Sequence, residues 1–343
     1  ILLSSHNNDI LYLASNKLHR SLNRGDDWNA LSEDLTKGVK KGNVPYGTLT
    51  SVDESIFVFG QLVVGSDDGL IHITTDSGAT WTRVSDNLPQ DLWVSRVQFS
   101  KHHSKRIYAT LNGYRWDDFT PYVYVSDDLG ATWQSIESNL PLSAVNVVKE
   151  DPTNEHILYL GTDNGLFVSI NQGKEWHIFD ATIPRVAIHD LYIQPEENDL
   201  LVGTHGRSIY LLELEAIQEL SKLETKNVAV LKPDAQKHSN RWGAKSRVWY
   251  EPFIPTFHWT FFSQQQTDGV WSLTSDKGVV VMEEFITLQR GLQQVPYALT
   301  FDDSRITKYN KRHKADVQPA DDGQTYLPKG TYTLFWNNTP QAT

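Results

Sequence analysis

Four copies of one eight-residue pattern constrain this chain more than any other feature. Ser21 to Trp28 reads S-L-N-R-G-D-D-W, and Thr74 to Trp81 reads T-T-D-S-G-A-T-W. Ser126 to Trp133 reads S-D-D-L-G-A-T-W, and Ser169 to Trp176 reads S-I-N-Q-G-K-E-W. A hydroxyl residue (Ser21, Thr74, Ser126, Ser169) comes first, and Asn or Asp (Asn23, Asp76, Asp128, Asn171) comes third. Gly (Gly25, Gly78, Gly130, Gly173) is fifth and Trp (Trp28, Trp81, Trp133, Trp176) is eighth. Each part has a use in a tight hairpin. The Asn or Asp side chain accepts from backbone N–H groups two residues on. Gly supplies a positive φ without steric cost. Trp opens the next strand and offers a large apolar plate to a neighbouring unit.

A larger unit recurs around each turn. Residues 157–168 read I-L-Y-L-G-T-D-N-G-L-F-V and residues 62–73 read L-V-V-G-S-D-D-G-L-I-H-I, each followed by a turn and its Trp; residues 10–20 and 106–125 fit with more drift. The four tryptophans are 53, 52 and 43 residues apart. Apolar and polar residues alternate, Val, Ile, Leu and Tyr are abundant, and Gly and Asp bound the runs, which is strand chemistry. One unit reads as four short antiparallel strands, led by segments such as Val97 to Phe99, Val145 to Val148 and Leu191 to Ile193. Tandem four-stranded units of about 40–50 residues are the signature of propeller blades; solenoid repeats are shorter. The expectation is an all-β chain, with four near-complete blades and a partial fifth over Val186 to Glu213 that lacks the turn and the Trp strand. Ile1 sits within a strand-like run, so the chain reads as part of a longer, processed protein whose other blades lie upstream.

The texture changes after Glu213. Residues 214–245 are expected to form a linker, beginning with a short amphipathic helix or tether over 214–226. Strand-like runs return at Phe257 to Phe262, Val270 to Leu273, Val279 to Met282, Val295 to Thr300 and Thr331 to Trp336. Residues 246–343 are therefore expected to fold as a small β-sandwich, with 302–325 as a long polar loop.

Bulk properties narrow the function. A formal net charge of -11 argues against a nucleic-acid partner. There are no cysteines, hence no disulfide framework and no thiolate metal site, although this leaves the compartment open. No apolar run approaches the roughly 20 residues of a membrane span. No metal-ligand spacing such as H-E-x-x-H occurs and no cofactor is expected.

The turn resembles the Asp-box of sialidases, two-propeller xyloglucanases and the sortilin receptor propeller. The likeness extends through N-G-Y-R-W-D-D-F-T-P-Y-V-Y-V-S-D-D-L-G-A-T-W, S-N-L-P, N-V-V-K-E-D-P and V-G-T-H-G-R-S-I-Y-L-L-E. Together these resemble the large exported sortilin-like BNR-repeat proteins of the Bacteroidetes, closely over 1–213 and loosely over 246–343. The resemblance implies an Ig-like domain, similar to the flagellar hook-capping fold, after the propeller; Lys329 to Thr333 (K-G-T-Y-T) sits where its P-G-T-Y-T-like strand would lie. It also implies export to the periplasm, outer-membrane surface or extracellular space. The family's glycosyl-hydrolase label derives largely from its Asp-boxes, which are structural.

Alternating strand direction sorts the loops. The turn motifs lie on one face; the loops from second to third strand, and the lead-ins to first strands, lie on the other. The second face collects Asp67 and Asp68, Asp163 and Asn164, His205 and Arg207, and Tyr114, Arg115, Trp116, Asp117 and Asp118 from the long loop 112–121. Strand lead-ins add Arg96, Asn146, His189 and Asp190. Aromatics for stacking, carboxylates for hydroxyls or amines, and arginines for carboxylates suit a sugar or a peptide. Each has a plainer reading. Asp67 and Asp163 cap their own hairpins, His205 and Arg207 tie the last blade to its neighbour, and His102 and His103 sit in solvent at a hairpin tip. The long loop is the exception, because loops of that length tend to carry function.

The leading expectation is a binding or scaffold module that takes a protein or glycan at the cell envelope through this face. The alternative is a glycoside hydrolase acting through Asp118 with Asp68 or Asp163. That chemistry needs two carboxylates about 5–9.5 Å apart, one with a raised pKa. A sialidase would need three arginines and a Tyr nucleophile; Arg96, Arg115 and Arg207 are present, but no Tyr–Glu partnership is evident. A third reading, a structural subunit of a surface assembly, predicts a broad apolar patch on the sandwich or the open propeller edge.

Overall fold

A computed structural model of the chain describes residues 1–38, 47–179, 183–220, 227–231, 235–245 and 249–342. It divides into two compact units, one drawn from Ile1–Ile178 and Ile183–Ser221, the other from Phe179–Thr182 and Lys222–Thr343.

The first unit is a run of β-propeller blades, each an antiparallel meander. Blade one comprises Leu2–Leu3, Leu11–Ala14, Leu18–Ser21 and Asn29–Ala30, and blade two Leu49–Glu54, Leu62–Ser66, Ile71–Thr74 and Thr82–Arg83. Blade three comprises Trp93–Phe99, Ile107–Asn112, Val123–Ser126 and Gln134–Ser135, and blade four Val145–Glu150, Leu158–Thr162, Gly165–Ser169 and His177–Ile178. Blade five has three strands, Ile188–Gln194, Asp199–Thr204 and Ile209–Glu213, as its missing turn motif implies. The first strands of blades two to five lie side by side in order. Apolar residues from adjacent blades form shared cores, one joining Val63, Ile71 and Ile73 of blade two to Val94, Val97, Ile107 and Ala109 of blade three.

The four turns share one hydrogen-bond scheme. The hydroxyl oxygen accepts from the Gly N–H: Ser21 from Gly25 at 2.8 Å, Thr74 from Gly78 at 2.9 Å, Ser126 from Gly130 at 2.8 Å and Ser169 from Gly173 at 2.8 Å. The same hydroxyl donates to Oδ1 of the third residue. That Oδ1 accepts the N–H four residues on, from Asp27, Thr80, Thr132 and Glu175. This corrects the expected two-residue reach. The hydroxyl already takes the Gly N–H two residues past the Asn or Asp, as in Gly78 N–H to Thr74 Oγ1 at 2.9 Å, so the Asn or Asp side chain reaches on to the next free N–H of the turn.

These turns also join blades. The indole of Trp81 donates to the Leu31 carbonyl at 3.0 Å, Trp133 to Val84 at 2.7 Å and Trp176 to Ile136 at 2.7 Å, each in the preceding blade. A second set of contacts joins the blades at the same end, where each first strand turns into the second. Buried Glu54 accepts from Ser4 Oγ (2.6 Å) and Tyr12 OH (2.8 Å), and Glu150 accepts from Ser100 Oγ (2.8 Å) and Tyr108 OH (2.8 Å). His6 and His102 each place Nε2 on the next blade, at the carbonyls of Ser55 (2.8 Å) and Asp151 (2.7 Å). The expected solvated tip is thus half-buried at His102, and His103 pairs with Glu155.

The second unit has two antiparallel sheets. One orders Val228–Val230, Phe257–Ser263 and Gly291–Tyr297; the other orders Val280–Leu288, Thr267–Ser275, Tyr332–Trp336 and Thr339–Ala342. Phe261, Trp259 and Val230 from one sheet and Trp271, Leu334 and Val281 from the other share one core. The stretch expected as a linker supplies helix α1, Glu215–Leu220, in the first unit and the strand Val228–Val230 in the second. The strand forms because Val228, Ala229 and Val230 are all buried. The expected polar loop 302–325 contains helix α2, Asp303–His313. Asp302 caps it by accepting the Ser304 N–H at 3.0 Å, Lys311, Arg312 and His313 complement its C-terminal dipole, and Tyr309 is buried.

Candidate functional site

The loop face opposite the turns is shaped by a repeated irregularity. In blades two to five the first strand slips register by one residue, between Leu49 and Ser51, Val94 and Arg96, Val145 and Val147, and Ile188 and Asp190. The extra residues are Thr50, Ser95, Asn146 and His189. A bulge re-aims its side chain and is common beside functional sites. In blades two and three the bulged hydroxyl locks onto the next blade, Thr50 Oγ1 to the Val94 carbonyl at 2.6 Å and Ser95 Oγ to the Val145 carbonyl at 2.8 Å. In blade four the same place holds Asn146, which turns to other side chains. In blade five it holds the exposed His189.

Asn146 is the centre of a hydrogen-bonded chain that is buried at Asn112 and Asn146 and partly exposed at Asp163. Asn112 Nδ2 donates to Asn146 Oδ1 at 2.8 Å, and Asn146 Nδ2 donates to Asp163 Oδ1 at 2.8 Å. Asn112 Oδ1 accepts the Tyr114 N–H at 2.9 Å, which ties the chain to the long loop. Asp163 is set at the hairpin mouth by its own N–H, which donates to the Ala144 carbonyl at 3.0 Å. His205 is set in the same way on the Ala187 carbonyl at 2.9 Å, and its ring lies 5.2 Å from that of His189.

The long loop closes tightly. Tyr114–Trp116 is one 3-10 turn, Asp117 follows at φ 57, and Asp118 N–H donates to the Gly113 carbonyl at 3.2 Å. A Cβ on Gly113 would stand 2.8 Å from Asp118, so the closure needs glycine there. Arg115 folds back with its guanidinium 5.2 Å from the Trp93 ring centre, a cation–π contact that anchors the loop to blade three.

These groups enclose a cavity of about 390 Å³, lined by Trp93, Asn112, Tyr114, Arg115, Asn146, Asp163, Ala187, His189 and His205. The structure thus gathers six of the expected residues: Tyr114, Arg115, Asn146, Asp163, His189 and His205. Trp93 and Asn112 were not anticipated. A tryptophan outside the turn motif was the available signal for Trp93, whereas Asn112 reads in sequence as an ordinary strand end.

Other candidates lie elsewhere. Arg96 pairs with Asp190 at 2.7 Å, outside the cavity lining. Trp116, Asp117 and Arg207 are exposed and do not line it. Asp67 Oδ1 accepts the Thr48 N–H at 2.9 Å. Asp68 is buried in blade two, accepting from Ser66 Oγ at 2.5 Å and Lys37 N–H at 2.8 Å. Asp118 Oδ1 accepts the Thr120 N–H and Oδ2 the Tyr122 hydroxyl, and these bonds hold its carboxyl below the usual aspartate range. A glycosidase acid needs the opposite shift. Of Asp68, Asp118 and Asp163, Asp163 alone borders the cavity, so the three do not converge there. Among the described residues no group of three or more His, Cys, Asp or Glu is placed to hold a metal ion, and no helix is long and apolar enough to cross a membrane.

No model of a protein family matches the chain, and no curated protein matches it. Solved structures do. The GH74 xyloglucanase from Xanthomonas campestris aligns with 12% identity and a TM-score of 0.50, over 92% of this chain and 47% of that one. The GH74 enzyme of Niastella koreensis aligns with 20% identity and a TM-score of 0.45, over 60% of this chain and 34% of that one. YCF48 from Cyanidioschyzon merolae aligns with 13% identity and a TM-score of 0.46, over 60% and 64%. The chain therefore spans a third to a half of the GH74 chains it matches. The Xanthomonas alignment supports the propeller fold alone.

Proposed function

We propose that this chain is an exported, sortilin-like binding or scaffold module that recognises a protein or glycan at the cell envelope. In this reading the turns are Asp-boxes, the first unit covers the blades of 1–213, and the second unit is the Ig-like domain that follows them. The carrying observation is the cavity opposite the turns, where blades three, four and five each contribute side chains and the Asn112–Asn146–Asp163 chain is pre-set within hydrogen-bond distance. Pre-organised polar groups beside aromatic walls lower the cost of binding. Asp163 accepts hydroxyls or amines, the asparagines and histidines donate, and Tyr114 offers an exposed ring.

Binding of the purified chain to arrayed glycans and peptides tests this, beside its Asn146→Leu and His205→Ala variants. A ligand held by the wild type and lost at least tenfold by both variants is expected. Equal binding by all three overturns the assignment of the cavity. Turnover of aryl glycosides or polysaccharides that disappears in Asp163→Asn would instead establish the hydrolase reading.

A further inference from the structure

In blades one to four the loop from first to second strand closes in one way. A backbone N–H donates to the carbonyl six residues on, Ser4 to Ile10, Ser55 to Gln61, Ser100 to Arg106 and Asp151 to Ile157, at 2.9 to 3.0 Å. A second bond closes the inner turn, from Ile10 back to Asn7, Gln61 to Val58, Arg106 to His103 and Ile157 to Asn154. The enclosed residues read S-H-N-N-D in blade one, K-H-H-S-K in blade three and P-T-N-E-H in blade four, but I-F-V-F-G in blade two. Three polar versions of the same loop show that the fold does not call for apolar residues there.

The apolar version stands in solvent. Ile56, Phe57, Val58 and Phe59 are 38, 45, 42 and 43% exposed. A lone exposed apolar residue is ordinary, but four in succession at one loop tip make a patch. The tip is also held in place. His6 of blade one sets Nε2 on the Ser55 carbonyl at 2.8 Å and its ring edge-on to Phe59 at 5.8 Å. The Gly60 N–H donates to the buried Glu54 at 3.1 Å. On the other side Gln61 Nε2 donates to the Ser104 carbonyl at 3.1 Å, which sets the basic loop of blade three, with Lys101 and the exposed Lys105, against the apolar one. In the blade-one loop the acidic Asp9 is paired with Arg24 at 2.6 Å.

We propose that the tip at 56–59 inserts shallowly into the surface of a phospholipid bilayer. A specific protein interface takes about 800 Å² from each partner, more than a single four-residue tip supplies. An acyl-chain surface accepts a protruding apolar tip without a matching shape. Lys101 and Lys105 stand beside it, where headgroup phosphates answer their charge within the short range that salt leaves unscreened. The contact is peripheral, one loop deep, and needs no membrane-spanning helix. It lies at the turn end of the blades, so it does not depend on what the opposite cavity takes.

Co-sedimentation of the whole chain with vesicles tests this, one set of phosphatidylcholine and one an equal mixture of phosphatidylcholine and phosphatidylglycerol. Saturable binding to both is expected, tighter on the mixture. The double variant Phe57→Ser, Val58→Ser should weaken binding to both about tenfold or more. Lys105→Gln should weaken binding to the mixed vesicles alone, by about fivefold. Leu142→Ser, which removes a leucine 78% exposed in another loop, should change neither. The chain has no cysteine, so Val58→Cys carries a single environment-sensitive fluorophore, whose emission should shift to the blue on vesicles. Phe57 and Val58 are exposed, so the double variant should fold, and its thermal melt beside the wild type's checks this. Absence of binding to either vesicle, an unshifted fluorophore on bound chain, equal binding by the double variant and the wild type, or an equal loss in Leu142→Ser each overturn the proposal.

Discussion

The indole Nε1 of Trp176 donates to the backbone carbonyl of Ile136 at 2.7 Å, across the boundary between blades four and three. Gly173, at φ +80, packs on the same isoleucine, where an added Cβ would stand 2.8 Å from Ile136 Cβ. One residue of the preceding blade thus receives both the hydrogen bond and the close backbone approach. Trp133 with Gly130 on Val84, and Trp81 with Gly78 on Leu31, repeat the arrangement.

Gly173→Ala should therefore destabilise the first unit by about 1–3 kcal/mol, because it adds overpacking to a left-handed backbone that alanine adopts poorly. Urea denaturation followed by tryptophan fluorescence measures it. Gly165→Ala is a useful contrast. Its φ is +120, with nothing within 4 Å of the added Cβ, so that variant isolates the backbone penalty.

Tyr108→Phe should remove a hydrogen bond to the buried Glu150, and Tyr12→Phe the matching bond to Glu54. Each loss is expected to cost about 1.5–3 kcal/mol, the range for bonds to charged groups. The two tyrosines lie two blades apart and share no partner, so the double variant should show nearly additive losses. Chemical denaturation of the two single variants and the double variant checks both the size and the additivity.

The turn carboxylates should shape the acid limb of stability. Hydrogen bonds from the Thr80 side chain and backbone pull the Asp76 pKa down to about 2, and the corresponding bonds from Thr132 lower that of Asp128. A folded-state pKa below the unfolded value means that the stabilising contribution is present above pH ~4 and is lost as pH falls toward about 2. The double variant Asp76→Asn, Asp128→Asn should fold at neutral pH, since Asn23 and Asn171 already serve in the same position. Its melting temperature should fall less steeply than the wild type's between pH 4 and pH 2. Thermal scans across that window decide it.

In the second unit, Asp302→Ala should cost about 0.5–2 kcal/mol by uncapping helix α2. Asp302→Ser should recover most of the loss, because serine also caps. Differential scanning calorimetry of the three proteins tests the order.

The helix α2 shows how far the sequence could be read. D-D-S-R and K-R-H-K look like polar loop, yet they are an N-cap with acidic first turn and a basic last turn around one buried Tyr309. The capping signal was present, but the helix has a single buried residue, too weak an apolar period to reveal it. Val228–Val230 escaped for the reverse reason. Three apolar residues are too few to mark a strand until Phe261 and its neighbours are there to pair with them.

The blades are different. Repetition of a hydroxyl, a carboxylate or amide, a glycine and a tryptophan at constant spacing is local chemistry, so the sequence alone specified antiparallel units, their number and the incomplete fifth. It also separated the two loop faces, because strand direction alternates by necessity. The tertiary structure decided which of the loop-face residues meet. A one-residue bulge in the first strands of blades four and five re-aims Asn146 and His189, and no sequence period marks such a slip. Whether Asn146 meets Asn112 across the blade boundary as well as Asp163 in its own blade depends on register between strands far apart in the chain. Register of that kind is set by packing between blades, so it exists only once the blades have assembled.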